Sequence, residues 1–172
     1  ILLDQEIKER RQQDTTSRED ILSLLLDVRY EDGGSLEDAQ LRDELRTLLI
    51  AGHETSATAL AWAVSYLCHL PNVRKSLLQE LDALGSSPSP DQLIVQPYLE
   101  ATCKEATRLH PSVPVALRQV VEPFTLLGHP IPIGVSVGVC ISVLHHNKGI
   151  WDKPLEFNPH RFINKKYSPF EF

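Results

Sequence analysis

The stretch LLIAGHETSATALAWAV, Leu48 to Val64, decides how this chain is read. It has the apolar content of a buried helix, yet Gly52, His53, Glu54, Thr55 and Ser56 stand in a row at its centre. A glycine inside a helix costs about 1 kcal/mol against alanine. A buried glutamate is unfavourable unless it finds partners. A helix that keeps both in its most apolar part is expected to use them.

The helix grows outward from this stretch in both directions. Ser35 with Asp38 reads as a capping box, and from there only Gly52 interrupts the segment before Pro71. About 35 residues at 1.5 Å each predict a helix of about 50 Å. Its first half is charged on one side. Its second half is apolar nearly all round, which predicts passage through the core.

Upstream, residues 1–13 and Ser17–Tyr30 read as helices, the second with Ser17 as N-cap and Asp20 three residues on; EDGGS between it and Ser35 is a turn. Downstream, NVRKSLLQELDALG reads as a helix capped by Asn72 and closed by Gly85. SSPSPD is a loop. PYLEATCKEATRLHP is a helix with Leu99, Thr102, Cys103, Ala106 and Leu109 on one stripe, ended by Pro111. The period then changes. VPVALRQVV and Val135–Val143 read as strands, GHPIPIG as a turn, and the rest as irregular. Helices followed by a few strands predict a mainly α fold with a small β-sheet, built around one long central helix.

The chain has 172 residues, enough for one domain with a core, and 42% hydrophobic and 23% charged residues are ordinary for a globular protein. A net charge of -6 argues against a nucleic-acid partner. Cys68, Cys103 and Cys140 are widely spaced, form no metal-type pair, and read as free thiols of a reducing compartment. No apolar run reaches the roughly 18 residues that span a bilayer. The chain has no methionine, opens inside an amphipathic helix and closes on YSPFEF. Both ends therefore read as cut, and residues 1–172 as a single partial domain.

Several constellations bear on chemistry. Gly52 permits close approach to the helix backbone, and Thr55 and Ser56 offer hydroxyls that bond back one turn and open the helix locally. Glu54 beside Thr55 supplies the parts of a proton relay; the plainer alternative is a kink with a solvated glutamate. His53-Glu54 begins a zinc-hydrolase helix, but Ala57 stands where the second histidine belongs. His145 and His146 remain as distant ligands, and as neighbours on a strand they would point to opposite faces. Glu105 and Arg108 form an i,i+3 pair off the apolar stripe, facing water or another polar partner. Arg161 lies in an aromatic and proline-rich loop, where its planar fork suits carbonyls and carboxylates. Arg118 sits in an apolar strand and wants an anion.

Taken together, in this order, these pieces resemble the cytochrome P-450 monooxygenases. AGHETS resembles the family's Ala/Gly-Gly-x-Asp/Glu-Thr-Thr/Ser stretch in its long central helix, and KEATRLHP its Glu-x-x-Arg helix. FNPHRF resembles its Pro-x-Arg-Phe loop, with His160 where the family usually has glutamate. GHPIPIGVSV resembles its strand turn, normally Ile-Pro-x-Gly. EDILSLLLD followed by LRDELRTLLIAGHETSATALAW is similar to bacterial members, above all cyanobacterial ones.

The resemblance implies a haem. Ala51 and Gly52 would let porphyrin and dioxygen approach the helix. Thr55 would hydrogen-bond the bound oxygen, and Glu54 would help to deliver protons. Glu105, Arg108 and Arg161 would form a buried structural triad on the proximal side. Arg118 would pair with a haem propionate, and Val113, Val115 and Ala116 would line the substrate pocket. The family's axial cysteine follows the Pro-x-Arg-Phe loop, so it would lie beyond Phe172, leaving no metal ligand in this chain. The parent would be an oxidoreductase that hydroxylates a small apolar substrate, such as a fatty acid, alkane or terpene, with dioxygen and two electrons from a ferredoxin or flavoprotein reductase. The expected location is cytoplasmic, with membrane association of the parent left open, and this chain alone is expected to be inactive. The alternatives are a truncated or decayed, non-catalytic product that at most binds a ligand or a partner, and, remotely, a zinc hydrolase.

Overall fold

The computed structural model describes residues 2–13 and 18–172. Seven helices and four short strands follow in chain order: α1 (Leu2–Arg11), α2 (Ile21–Asp27), α3 (Asp38–His69), α4 (Pro71–Asp82), α5 (Pro90–Ile94), α6 (Pro97–Leu109), β1 (Val115–Gln119), β2 (Phe124–Leu126), β3 (His129–Ile131), β4 (Ser136–Cys140) and α7 (Ile141–His145). A 3-10 turn spans Pro159–Phe162. The fold is mainly helical, as the pattern predicts. Its β structure is two separate antiparallel ribbons, β1 with β4 and β2 with β3. The chain divides into two compact units, one up to Glu54 and one from Thr55 onward.

In the first unit, Ile7, Leu22, Leu26 and Leu41 form the core, with Leu25, Leu36 and Leu45 packed on it. Asp20 is the N-cap of α2, accepting from the Ser23 N–H; the expected cap, Ser17, lies outside the described residues. The start of α3 also differs from expectation. Gln40 Oε1 accepts from the Glu37 N–H at 2.9 Å, whereas Ser35 is drawn into a β-bridge with Arg29. A bridging residue has extended backbone and is not free to cap, so the cap falls two residues later.

Arg10 is the polar centre of this unit. Its Nη1 donates to both Asp20 carboxylate oxygens at 2.7 and 2.6 Å and to Ser23 Oγ at 2.9 Å, and its Nη2 donates to Glu6 at 2.7 Å. The guanidinium of Arg10, helped by the Ser23 amide, holds the Asp20 carboxyl down to about 2. A carboxyl depressed in the folded state stabilises the fold above its unfolded value of about 3.9, and that contribution is lost as pH falls towards 2. Acid titration of helix content is expected to show a loss between about pH 4 and about pH 2, which Asp20→Asn removes while keeping a capping side chain. A titration unchanged in the variant would show that the Arg10–Asp20 pair does not matter for this unit.

The second unit buries Leu77, Tyr98, Ala101, Ala106, Leu109, Val120 and Trp151. Helix α4 opens on Pro71 at its first turn with Leu70 as N-cap, and no side chain caps it. Asn72, the expected cap, is therefore already inside the helix. The loop expected at SSPSPD instead feeds α5 through a capping box of Ser89 and Gln92. Glu80 of α4 caps α6 from outside, accepting from the Tyr98 and Leu99 N–H groups at 2.8 and 2.9 Å. β2 and β3 form a two-residue hairpin, whose turn residues Leu127 and Gly128 have φ of 49° and 84°. Two positive φ values in sequence are the mark of a type I′ turn.

Two expectations about periodicity are corrected. The strand expected over Val135–Val143 ends at Cys140, and α7 follows. Ile141, Leu144 and His145 stand at i, i+3 and i+4, which is a helical face hidden inside an alternating run. The long helix is unbroken from Asp38 to His69, with 32 residues and no opening at Gly52, and only Leu41 is fully buried along it. Leu49 and Ile50 are 67% and 60% exposed. The expected passage through the core is not seen: the described elements cover only part of a second half that is apolar nearly all round.

Candidate functional site

Helix α6 is the base of the site. Glu105 and Arg108, one turn apart on it, are completely buried as side chains. The expected apolar stripe holds in part: Thr102, Ala106 and Leu109 are buried, Leu99 is half-buried and Cys103 is exposed, while the buried face widens to take in Tyr98, Ala101, Glu105 and Arg108. Of the two alternatives for the pair, the polar partner is the one found.

Arg108 grips Glu105 with two parallel hydrogen bonds, Nε to Oε2 at 2.7 Å and Nη2 to Oε1 at 3.0 Å. Its remaining donors reach carbonyls, Nη1 to His145 O at 2.6 Å and Nη2 to Glu156 O at 3.4 Å. Arg161, from the 3-10 turn, donates through Nε to Glu105 Oε1 at 2.9 Å. It also reaches Asp152 O at 2.9 Å and Glu156 O at 3.2 Å. The Asn158 N–H adds a further bond to Glu105 Oε1 at 2.8 Å. One carboxylate thus meets two guanidinium groups, and the surplus positive charge is spread over backbone carbonyls. Such a pair is tolerable away from water only because nearly every donor is satisfied.

Trp151 and His145 complete the lattice; Trp151 went unread in the sequence, and His145 was read only as a distant metal ligand. Trp151 is 1% exposed, and the Arg108 guanidinium carbon sits 5.0 Å from its ring centroid. The His145 Nδ1–H donates to Arg108 O at 3.1 Å, returning the bond that Arg108 makes to the His145 carbonyl. Burial, with the Arg108 charge beside it, holds the His145 imidazole below its usual pKa, so it is neutral with its proton on Nδ1. A signal did exist: a buried arginine with five donors needs more acceptors than one glutamate offers.

The other candidate residues lie apart from this lattice. Glu54 is exposed on α3, and Thr55 beside it is half-buried, its carbonyl accepting from Ser112 Oγ at 3.1 Å. Ala51 and Gly52 are exposed, and a Cβ built on Gly52 would meet nothing within 4 Å. Val113 and Ala116 line an apolar cavity of about 520 Å³ with Val139, Ile141, Leu144 and Phe172. Val115 points to the other face of the β1–β4 ribbon, towards Gly138, as alternation along a strand requires. Arg118 is exposed on β1 and donates only to its neighbour's carbonyl, Leu117 O, at 2.7 Å. Among the described residues no carboxylate pairs with it.

His145 belongs to α7, not to a strand, and the Nδ1–H groups of His145 and His146 are both engaged by carbonyls. Among the described residues no three His, Cys, Asp or Glu side chains come together as a metal site, and no helix is long and apolar enough to cross a membrane. Cys68, Cys103 and Cys140 are exposed free thiols.

Comparison with known proteins adds a further observation. The family model described as Cytochrome P450 matches residues 2–172. Cytochrome P450 monooxygenase sphH of Aspergillus fumigatus is 41% identical over 139 residues, covering 76% of this chain and 26% of its own length. A putative cytochrome P450 135A1 of Mycobacterium tuberculosis is 36% identical over 169 residues, covering 98% of this chain and 35% of its own length. Among solved structures, cyanobacterial CYP120A1 with retinoic acid bound superposes with a TM-score of 0.86 at 32% identity, covering 94% of this chain and 37% of that one. The chain thus spans between about a quarter and somewhat more than a third of these relatives' length.

Proposed function

Because this chain belongs to the cytochrome P450 family, we propose that it is one stretch of the catalytic domain of a haem-thiolate monooxygenase. The whole protein would insert one oxygen atom of dioxygen into a small apolar substrate and reduce the other to water. Its two electrons would come from a ferredoxin or a flavoprotein reductase. The observation that carries this reading is the buried Glu105–Arg108–Arg161 lattice, a costly arrangement that an ordinary helical fragment has no reason to build.

The residues fit a haem in two respects. Arg118 is a cation without a carboxylate partner among the described residues, suited to a propionate. Gly52 leaves room for a flat group to approach the α3 backbone. The haem, when bound, supplies the activation of dioxygen. This chain's residues are assigned narrower tasks. Thr55 holds a proton on its hydroxyl, and the solvent-reaching Glu54 carboxylate replenishes it. Ala51 and Gly52 keep the helix face low. Val113 and Ala116 contact the substrate side, and Val115, on the other face of the ribbon, is left out of that wall. Glu105, Arg108 and Arg161 pin the segments around them and touch no reacting atom. None of Cys68, Cys103 and Cys140, on α3, α6 and β4, is placed in a ligand loop, so the axial thiolate is assigned to sequence outside this chain.

A fatty acid, alkane or terpene-like substrate is the class we favour. The apolar cavity at Val113 and Ala116 supports it, as does the retinoic acid bound by the cyanobacterial relative. A cytoplasmic location is supported by the three free thiols. The deciding experiment expresses the complete reading frame and records the carbon monoxide difference spectrum of the reduced protein. A thiolate-ligated haem signal is the expected result. A full-length product that binds no haem would overturn the reading and favour a non-catalytic role.

A further inference from the structure

A second cluster stands apart from the arginine lattice. Trp62 and Tyr66, four residues apart on α3, meet His110 at the end of α6. The His110 ring lies flat on Trp62, with centroids 3.5 Å apart and 4° between planes. His110 Nε2 is 2.8 Å from the Tyr66 hydroxyl. Tyr66 also stacks on Phe157, with ring centroids 4.2 Å apart.

The direction of the hydrogen bond follows from acidity. A phenol O–H is a stronger acid than an imidazole N–H, and an imidazole lone pair is a stronger base than a phenol oxygen. Tyr66 therefore donates and Nε2 accepts, which puts the His110 proton on Nδ1. Burial raises the Tyr66 phenol and lowers His110, so both are neutral near pH 7.

We propose that Tyr66 and His110 form a redox-active pair. A one-electron oxidant, such as a high-valent metal complex, takes an electron from Tyr66 while the phenolic proton crosses the 2.8 Å bond to Nε2. The products are a neutral tyrosyl radical, a His110 imidazolium and the reduced oxidant. A one-electron reductant of the thiol or ascorbate class reverses the step, and the proton returns to the phenol oxygen. The Trp62 face lies where it stabilises the imidazolium, as an aromatic ring does a cation. Phe157 shields the radical ring. Direct removal of an electron alone would leave a strongly acidic tyrosyl cation, and the prealigned base avoids that species. This assignment does not depend on the monooxygenase reading.

The test oxidises the whole chain with photogenerated tris(bipyridine)ruthenium(III), followed by electron paramagnetic resonance. A neutral tyrosyl signal is expected, absent in Tyr66→Phe. His110→Phe keeps a ring on Trp62 but removes the acceptor, and should cut the radical yield about tenfold or more with unchanged helix content. An undiminished yield in either variant would overturn the pair. Where a variant fails to fold, spin-trap mapping of the unsubstituted chain decides. An adduct on Tyr66 supports the proposal, and adducts confined to Tyr30, Tyr98 or Tyr167 refute it.

Discussion

Arg108→Ala in the complete protein is expected to abolish haem incorporation, and not merely to slow turnover. The substitution leaves the Glu105 carboxylate buried with half its bonds gone, because Arg108 supplies two of the four donors it meets. Removing one partner of a buried ion pair costs about 3–5 kcal/mol. Total stabilities are only about 5–15 kcal/mol, so this is a large part of the whole. His145 O loses its donor as well, and Trp151 loses the cation beside its ring. Arg108→Lys should rescue little, since an ammonium cannot reproduce the planar fork. Haem content per chain and the denaturation midpoint are the readouts. A fully haem-loaded, active Arg108→Ala protein would remove the structural role assigned to the triad.

Thr55→Ala is expected to behave in the opposite way, with the fold kept and the chemistry impaired. Thr55 is half-buried and is not one of the fully buried core residues. If that hydroxyl holds the proton needed to commit oxygen to product, its loss diverts electrons to peroxide. Product per electron should fall roughly 10²-fold, the lower end for a positioned proton donor. Thr55→Ser should restore most of it. Electrons consumed, product formed and peroxide released are measured together. An unchanged ratio of product to electrons would show that Thr55 has no part in proton delivery.

The long helix was legible because it has no proline between Leu36 and Pro71 and a run of good helix formers. The Glu105–Arg108 pair was visible as a spacing, but not its burial. The stripe through Leu99 and Cys103 is as apolar on paper as the face that is buried. What turns α6 is not its own pattern but partners far away in sequence: Glu80 at its N-terminus, and His145, Asn158 and Arg161 along its length. α7 was missed because Ile141, Leu144 and His145 satisfy helical and alternating templates together. β2 and β3 were missed because strands of three residues offer too short a pattern to read. Exposure along the second half of α3 could not be read at all, since a segment that is apolar nearly all round says that it wants cover and not where the cover comes from.

The Glu105 Oε1 atom also bears on the order in which the second unit folds. Its bonds from Asn158 and Arg161 join residues 53 and 56 positions apart. Closing a loop of that size costs about 3–4 kcal/mol in chain entropy before any contact is made. Neither bond is strong enough alone to hold such a loop shut. The two bonds, with the carbonyls that Arg161 gathers, are therefore expected to form together. The stretch from Asp152 to Arg161 thus locks as one unit, its backbone carbonyls and the Glu105 carboxylate gathered by a single arginine.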